Sequence, residues 1–183
     1  MSLKINKVFF KSVYVLSPKT YSDNRGSFFE SWNKKMFNEL LDINYEFVQD
    51  NHSISIEGTL RGLHYQFPNP QGKLVRVISG EIFDVFVDVR ESSSTFGQWC
   101  GVNLSSNNMK QIWIPPGFAH GFLALSSKAE VLYKTTDHRH KENEKTIIWN
   151  DKDISIEWPA TKKVIVSEKD QKGVAFKKAQ YFK

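Results

Sequence analysis

The stretch KLVRVISGEIFDVFVDV, residues 73–89, decides the fold class. Residues 73–78 and 82–89 are rich in β-branched and aromatic side chains, which favour strands. Between them, Gly80 can adopt the positive φ angle that a hairpin turn requires, so we predict that the two segments form a β-hairpin. Alternate side chains of a strand point to opposite faces. The face of the second segment that we predict to be core carries Phe83, Val85, Val87 and Val89.

Strand-like segments continue across the middle of the chain. From residue 47 to residue 149, short β-rich segments are separated by Gly, Pro, Asn and Ser. Besides the hairpin, the predicted strands cover residues 110–114, 121–125 and 130–136. One convincing helix is predicted over residues 33–41, where Asn33 can cap the first turn and apolar residues recur at helical spacing. Together these features predict a mainly β fold, an antiparallel jelly-roll barrel with a few short peripheral helices.

Composition bounds the class of protein. The chain has 183 residues, of which 40% are hydrophobic, and this is enough for one packed domain spanning residues 1–183. It contains no apolar run of about 18 residues and no signal-peptide pattern, so we expect a soluble, cytoplasmic protein with no membrane partner. The single cysteine, Cys100, excludes an internal disulfide. A net charge of +5 favours anionic partners, and either nucleic acid or a phosphorylated small molecule would satisfy it.

Four titratable residues lie in segments that are otherwise strand-like and apolar. They are His64 in LRGLHYQ, Lys73 in QGKLVRV, His120 in PPGFAHGFLAL and Tyr133 in VLYKTTD. Taken singly, His64, His120 and Tyr133 are each more often structural residues than functional ones. Lys73, however, begins a strand on its inward face and can enter the same barrel interior as His64. A histidine base and a lysine that stabilises an enolate suit proton abstraction next to a carbonyl, and the phenol of Tyr133 can act as the acid.

Metal and nucleotide-binding motifs are missing from the sequence. Metal sites of jelly-roll barrels often use a His-x-His pair, but Gln66 takes the place of the second histidine in LRGLHYQ. His138 and His140 form such a pair only in the polar stretch DHRHKENEK, which we predict to be a solvated loop. We therefore expect no catalytic metal. With no Gly-rich loop, a nucleotide would have to be bound by side chains, and Arg25 and Arg61 are the natural phosphate ligands.

A series of segments, in order, resembles the dTDP-4-dehydrorhamnose 3,5-epimerase family. The segments are DNRGSFFESW, FVQDNHS, LRGLHYQ, QGKLV, GEIFDVFVDVR, STFGQW, PPGFAHGFLAL, VLYKTTD, IIWND, IEWP and SEKD, and they extend from Asp23 to Asp170. The resemblance implies a cupin-type jelly roll that uses no metal or other cofactor. It also implies a homodimer that binds a dTDP-linked 4-keto-6-deoxyhexose inside the barrel, and no nucleic acid partner.

The resemblance also implies roles for individual residues. His64 would be the base, held by Asp170 as a His-Asp dyad, and Tyr133 would be the acid on the opposite face of the sugar. Lys73 would stabilise the enolate at the C4 oxygen. Other positions that match substrate-contacting residues of the family are Arg25, Phe28, Glu30, Gln49, Asp50, Asn51, Arg61, His120, Glu144 and Lys169. The first three of these are expected to reach the neighbouring subunit's site through an exchanged N-terminal segment.

One substrate-contacting position departs from the family pattern. Arg139 stands six residues after Tyr133, where the family commonly has a second tyrosine that stacks on the sugar. Arginine can lie flat over a ring, but it adds charge and lacks the phenol. The sequence therefore leaves open whether both C3 and C5 are inverted or C3 alone. A sugar 3,4-ketoisomerase and a non-catalytic barrel that binds a sugar nucleotide or a nucleic acid are the remaining alternatives.

Overall fold

The computed structural model describes residues 2–183. Strands make up 48% of the chain and helices 10%, so the predicted mainly β fold is confirmed. The strands, in chain order, are β1 Leu3–Phe9, β2 Val13–Pro18, β3 Thr20–Asp23, β4 Gly26–Phe29, β5 Gln49–Ile56, β6 Thr59–Gln66, β7 Lys73–Ser79, β8 Glu81–Asp88, β9 Trp99–Ser105, β10 Gln111–Ile114, β11 Phe118–Ala124, β12 Lys128–Thr135, β13 Glu144–Thr146 and β14 Ile165–Val166.

Two large sheets form the barrel. The first has the strand order β1-β2-β10-β7-β12-β5, and the second has the order β13-β6-β11-β8-β9, with β14 beside β6. Val75 and Val131 of the first sheet pack against Phe86 and Phe122 of the second in one interior cluster. Because the apolar faces of the two antiparallel sheets meet in this way, the predicted jelly-roll barrel is confirmed.

The predicted hairpin is wrong in its pairing. β7 and β8 are joined at Gly80, whose φ is +81°, but the two strands lie in different sheets. β7 pairs with β10 and β12, whereas β8 pairs with β9 and β11. A Cβ atom on Gly80 would collide with the carbonyl oxygen of Lys128. The turn therefore needs glycine, as predicted, although it carries the chain from one sheet to the other.

The prediction that β8 has a single core face is also wrong. Phe86 belongs to the interior cluster, while Val85 and Val87 belong to a second buried cluster on the outer face of the same sheet. Phe176 and Phe182 of the C-terminal segment pack against this outer cluster. Alternation along a strand shows which side chains share a face, but it cannot show that a distant segment covers the second face.

The strands before residue 47 were not expected from the sequence. β2 is buried and contributes Val13 and Val15 to the interior cluster. β1 is an edge strand whose middle residues, Lys4 to Val8, are all exposed, so no buried face distinguishes it in the sequence. β3 and β4 pair with each other in a separate two-stranded sheet, which is largely exposed.

The predicted helix is confirmed as α1, Lys34–Leu41, with Asn33 as its N-cap. The side-chain oxygen of Asn33 accepts a hydrogen bond from a backbone N–H of the first turn. Phe37 packs against Trp113 on the outer face of the first sheet, so the helix is peripheral. A second helix, α2 Glu168–Gln171, is too short to show a helical period in the sequence. Among residues 2–183, no helix is both long enough and apolar enough to cross a membrane.

The barrel interior changes from apolar to polar along its strands. On β7 the inward side chains are Val77, Val75 and then Lys73, and on β12 they are Val131 and then Tyr133. Lys73 and Tyr133 border an open pocket, and the ring of Tyr133 also packs against the interior cluster. The packed end of the barrel therefore holds the strands in place, and the polar end leaves room for a ligand.

Two glycines bring the backbones of β6 and β11 close together. A Cβ atom on Gly121 would lie 2.7 Å from the carbonyl oxygen of Arg61 and 3.1 Å from the Cα of Gly62. A Cβ atom on Gly62 would lie 2.5 Å from the Cα of Gly121. Next to this contact, His64 and His120 are direct cross-strand partners. Their side chains therefore share the inward face of the sheet.

We expect Gly121→Ala to lower the free energy of unfolding by about 1–3 kcal/mol, because the added methyl group forces packed backbone atoms apart. The measurement is urea denaturation at one fixed protein concentration. Ser92→Thr adds a methyl group in an exposed turn and is the control, with a change of at most about 0.5 kcal/mol. Equal unfolding midpoints for Gly121→Ala and the natural chain would contradict the close approach of the two strands.

Candidate active site

A pocket of about 320 Å³ opens between the two sheets at the polar end of the barrel. The predicted site residues that line it are Gln49, Asn51, Arg61, His64, Lys73, His120, Tyr133, Arg139, Glu144 and Lys169. Lining residues that the sequence did not single out include Ser53, Gln71 and Phe122. The structure therefore gathers residues from both sheets and from the C-terminal segment around one cavity.

His64 on β6 is held by Asp170 on α2. The Nε2 atom of His64 lies 2.7 Å from the Oδ1 atom of Asp170. The other carboxylate oxygen accepts a hydrogen bond from the backbone N–H of Gly62, and Ser167 caps α2 through the backbone N–H of Asp170. The ring orientation is thereby fixed, and Nδ1 is the imidazole nitrogen that stays free to accept a proton.

The protonation of this dyad suits a base. Burial lowers the pKa of His64, and the charges of Lys73 and Lys169 lower it further, against the opposing effect of Asp170. Burial raises the pKa of Asp170, but its hydrogen bonds, above all the one from His64, outweigh burial and lower the pKa overall. At neutral pH the pair therefore consists of a neutral imidazole and a charged carboxylate.

Lys73 supplies a buried positive charge beside His64. Its side chain is buried, and its Nζ atom donates a hydrogen bond to the backbone carbonyl of His64 at 3.1 Å. Burial lowers the pKa of Lys73 to about 8, although the charges of Asp84 and Glu144 oppose this effect. A poorly hydrated ammonium group at this position can stabilise an oxyanion strongly, because little water screens it.

Tyr133 faces His64 from the other sheet. Tyr133 lies on β12, between Val75 of β7 and Asn51 of β5, whereas His64 lies on β6. Burial raises the pKa of Tyr133, with opposing effects from the nearby arginine charges, so the phenol keeps its proton at neutral pH. A ligand between the sheets would therefore meet a base on one side and an acid on the other.

His120 has its own carboxylate, Asp84 on β8, which the sequence analysis did not assign to the site. The Nε2 atom of His120 lies 2.8 Å from the Oδ2 atom of Asp84. Asp84 shares the inward face with Phe86, and its side chain is completely buried. The signal in the sequence was a charged residue within the apolar run IFDVFV, and it would have pointed here had both faces of β8 been recognised as buried.

The pocket rim consists of Arg139, Glu144 and Lys169. Arg139 binds Glu144 through two hydrogen bonds of 2.6 and 3.2 Å, and Lys169 donates to the same carboxylate at 2.6 Å. The Arg139 hydrogen bonds, together with Lys169, lower the pKa of Glu144 to about 2. Arg61, an exposed residue that also lines the pocket, donates a hydrogen bond to the Oγ of Ser55 and has no carboxylate partner among residues 2–183. The opening is therefore cationic and suits an anionic ligand.

Four predicted substrate-contacting residues lie outside this pocket. Arg25 is 86% exposed and paired with Asp23, and Phe28 is exposed on β4. Glu30 accepts a hydrogen bond from the side chain of Ser2. Asp50 points to the outer face of β5 because its neighbours in the strand point inward, and it binds Lys134 at 2.9 Å. Within one chain, the structure does not bring these side chains to the site.

Gln66 has a structural role in the described chain. Its Nε2 atom donates to the carbonyls of Asn69 and His138, and its Oε1 atom accepts from the backbone N–H of His140. These bonds tie β6 to the loop that carries both histidines. Across residues 2–183, no group of three or more His, Cys, Asp or Glu side chains is arranged to bind a metal ion. A metal-free reaction stays a prediction.

Comparisons with known proteins agree with the resemblance found in the sequence. The family model for dTDP-4-dehydrorhamnose 3,5-epimerase matches residues 7–178. The dTDP-4-dehydrorhamnose 3,5-epimerase of Shigella flexneri is 52% identical over 98% of this chain and 99% of its own length. That of Pseudomonas aeruginosa is 51% identical over 98% of this chain and 99% of its own length.

A solved structure agrees equally well. The dTDP-6-deoxy-D-glucose-3,5-epimerase of Legionella pneumophila, in complex with dTDP-4-keto-L-rhamnose, has a TM-score of 0.95 with this chain. It is 47% identical, and the match covers 97% of this chain and 95% of that one. The family resemblance is confirmed, and this chain belongs to the dTDP-4-dehydrorhamnose 3,5-epimerase family.

Proposed function

We propose that the chain, as one domain over residues 1–183, epimerises dTDP-4-dehydro-6-deoxy-D-glucose at C3 and C5 to dTDP-4-dehydro-L-rhamnose without a cofactor. The observation that carries this proposal is the placement of His64 and Tyr133 on opposite walls of one pocket, with Lys73 beside the base. The names of its close relatives, and the dTDP-4-keto-L-rhamnose bound to the Legionella relative, support it. That the reaction takes place in the cytoplasm stays a prediction.

The chemistry needs only groups that the pocket contains. A C4 ketone acidifies the hydrogens on C3 and C5, and neutral His64 takes such a hydrogen as a proton on Nδ1. The electron pair of the broken C–H bond moves to the C4 oxygen, where the Lys73 ammonium stabilises the enolate. Tyr133 then donates its phenolic proton to the opposite face of the carbon, which inverts it. Asp170 stabilises the protonated imidazole, and proton exchange with water restores both side chains.

The pocket rim suits the diphosphate of the substrate. Arg139 and Lys169 bring two positive charges to one carboxylate, and Arg61 adds a third that pairs with no carboxylate of residues 2–183. A guanidinium binds phosphate oxygens through two hydrogen bonds at once. We infer that these three residues bind the diphosphate and so orient the sugar toward the interior, where His64 lies.

We expect His64→Asn to lower kcat by about 10²–10⁴-fold, because the general base is lost while a side chain of similar size remains. The measurement is proton NMR in heavy water, which follows the loss of signal at C3 and C5. His52→Asn is the control, since His52 lies on β5 outside the pocket and contacts Glu130, and it should keep full activity. Rapid exchange catalysed by a folded His64→Asn protein would refute the assignment of the base.

Epimerisation at C3 alone is the second candidate, and Arg139 is the observation that favours it. Its side chain is 57% exposed and is bound to Glu144 at the pocket rim, so it does not cover a ring in the pocket as a stacking tyrosine would. A single base serves C3 and C5 only if the sugar is held in two abstraction geometries. Small misplacements of reacting groups lower the rate of a reaction strongly. A sugar ring that is held less firmly would therefore undergo the second proton abstraction more slowly.

If ring confinement limits the reaction, Arg139→Tyr should raise the rate of exchange at C5 relative to C3, because an aromatic side chain again covers the sugar. Separate NMR time courses for the two hydrogens measure this ratio. Arg139→Gln is the matched control, since it removes the charge without adding a ring, and it should leave the ratio unchanged. Equal exchange at C3 and C5 in the natural chain, unaffected by Arg139→Tyr, would exclude C3-only epimerisation.

We also propose that the protein is a homodimer in which the β3–β4 hairpin reaches the partner's pocket. The hairpin pairs with no other strand, and the cross-strand partners Tyr21 and Phe28 are 54% and 72% exposed. An exposed aromatic pair of this kind marks a contact surface. Since Arg25 sits at the turn of the same hairpin and does not line its own pocket, the exchange would deliver a cation to the neighbouring site.

Co-expression of Arg25→Ala chains with His64→Asn chains tests this exchange. A mixed dimer contains one pocket with both an intact His64 and an intact hairpin from the partner, so random association should restore about one quarter of the natural activity. Each variant expressed alone is the control and should be far less active. Activity of the mixture no higher than the average of the two variants would show that Arg25 does not act in the partner's pocket.

A further inference from the structure

Two histidines stand side by side in the pocket, and each is bound to its own carboxylate. His64 and His120 are direct cross-strand partners on β6 and β11. Asp170 from α2 holds His64 at 2.7 Å, and Asp84 from β8 holds His120 at 2.8 Å. The proposed epimerisation uses the first pair as a base and assigns no role to the carboxylate of the second.

Asp84 is unusual among the buried carboxylates of the chain. Its side chain is 0% exposed, its Oδ2 atom contacts His120, and its Oδ1 atom has no hydrogen-bond partner among residues 2–183. Asp88, on the same face of the same strand and equally buried, is instead bound by Arg90 and two hydroxyl groups. A buried carboxylate oxygen without a partner is costly. We therefore expect a positively charged group in the pocket to stabilise the charge of Asp84.

Lys73 is the buried cation that lacks a bound carboxylate. Its ammonium makes one hydrogen bond, to the carbonyl of His64, and among residues 2–183 no carboxylate oxygen lies within ion-pair distance of it. The titratable and charged groups that line the pocket with it are Arg61, His64, Tyr65, His120, Tyr133, Arg139, Glu144 and Lys169, and the charges of Asp84 and Glu144 act on it.

Of the two carboxylates that act on Lys73, only Asp84 is free of other cations. Glu144 is already bound by Arg139 and Lys169, so its charge is largely offset. Asp84 contacts only His120, and no Lys or Arg side chain of residues 2–183 lies within ion-pair distance of it. The negative charge of Asp84 therefore acts on Lys73 with little screening, because both side chains are buried.

We propose that Asp84 is a positioning residue of this pocket, which serves as the counter-ion of Lys73 and fixes the ring of His120 toward the ligand. Its importance for catalysis rests on the proposed function, since Lys73 stabilises an enolate only while it carries its proton. The interaction between the two buried groups does not depend on which sugar is bound.

The sign of the effect follows from the charges. Burial lowers the pKa of Lys73 to about 8 while Asp84 is present and opposes this change. Removing the negative charge of Asp84 lowers the pKa of Lys73 further, so the ammonium loses its proton near neutral pH. Loss of an opposite charge at close range commonly shifts a pKa by about one unit or more.

Asp84→Asn is the test, because the amide keeps the shape of the carboxylate and can still accept a hydrogen bond from His120. NMR of protein labelled at the lysine side-chain carbons, with Lys73→Arg to assign the signal, measures the titration of Lys73. We expect its midpoint to fall by about one pH unit. The basic limb of the pH profile of kcat should move the same way, so that the loss in kcat grows as pH rises, while KM changes little.

Asp88→Asn is the matched control, since it neutralises an equally buried carboxylate on the same strand outside the pocket. It should lower thermal stability but leave the titration of Lys73 and the pH profile unchanged. The proposal is overturned if Lys73 titrates alike in Asp84→Asn and the natural chain, or if Asp88→Asn causes the same shift.

Two further measurements keep the proposal testable if a variant does not fold or the natural chain is inactive. If Asp84→Asn does not fold, the carboxyl carbon of Asp84 in the natural protein is followed by NMR, and it should change its chemical shift as Lys73 titrates. A flat response there refutes the pairing. If the natural chain exchanges no hydrogen of the dTDP-4-keto sugar, the proposed function fails, while the two titrations still show whether Asp84 is the counter-ion of Lys73.

Discussion

Burial of β8 on both faces is the constraint on which the rest of the structure depends. Its inner face completes the interior cluster, and its outer face needs a cover, which the C-terminal segment provides through Phe176 and Phe182. On its way to that position the same segment adds β14 to the edge of β6 and forms α2, which places Asp170 behind His64. Burial of the apolar outer face of β8 thus brings together His64 and Asp170, which are 106 residues apart in the sequence.

The two-sheet architecture separates the roles that proton transfer requires. In the proposed reaction, the base comes from β6 in one sheet and the acid from β12 in the other, so both faces of a ring between them are reached. Lys73 joins the two sides, because it starts a strand of the acid's sheet and donates a hydrogen bond to the backbone of the base. Since Lys73 is buried and His64 and Tyr133 are partly buried, nearby charges act more strongly than in water and the protonation state of each group matters.

Local sequence patterns correctly predicted the structural features that depend on short-range interactions. The cap at Asn33, the glycine turn at Gly80 and the inward position of Lys73 all follow from short-range preferences, and the structure has them. Patterns failed where long-range packing decides: the pairing partners of β7, the covered outer face of β8 and the role of Asp84. The pocket positions of Glu144 and Lys169 came from the family resemblance alone, because exposed charged residues carry no periodic signal.

The rim carboxylate Glu144 also has a consequence for turnover. While the pocket is open, Glu144 occupies Arg139 and Lys169 in the manner of a built-in substitute for phosphate. In the proposed reaction, binding is therefore an exchange of one set of ion pairs for another, and only the difference between them contributes to affinity. When the product leaves, Glu144 pairs again with Arg139 and Lys169, so neither cation is left without a partner. A rim built in this way gives up some strength of binding in favour of fast release.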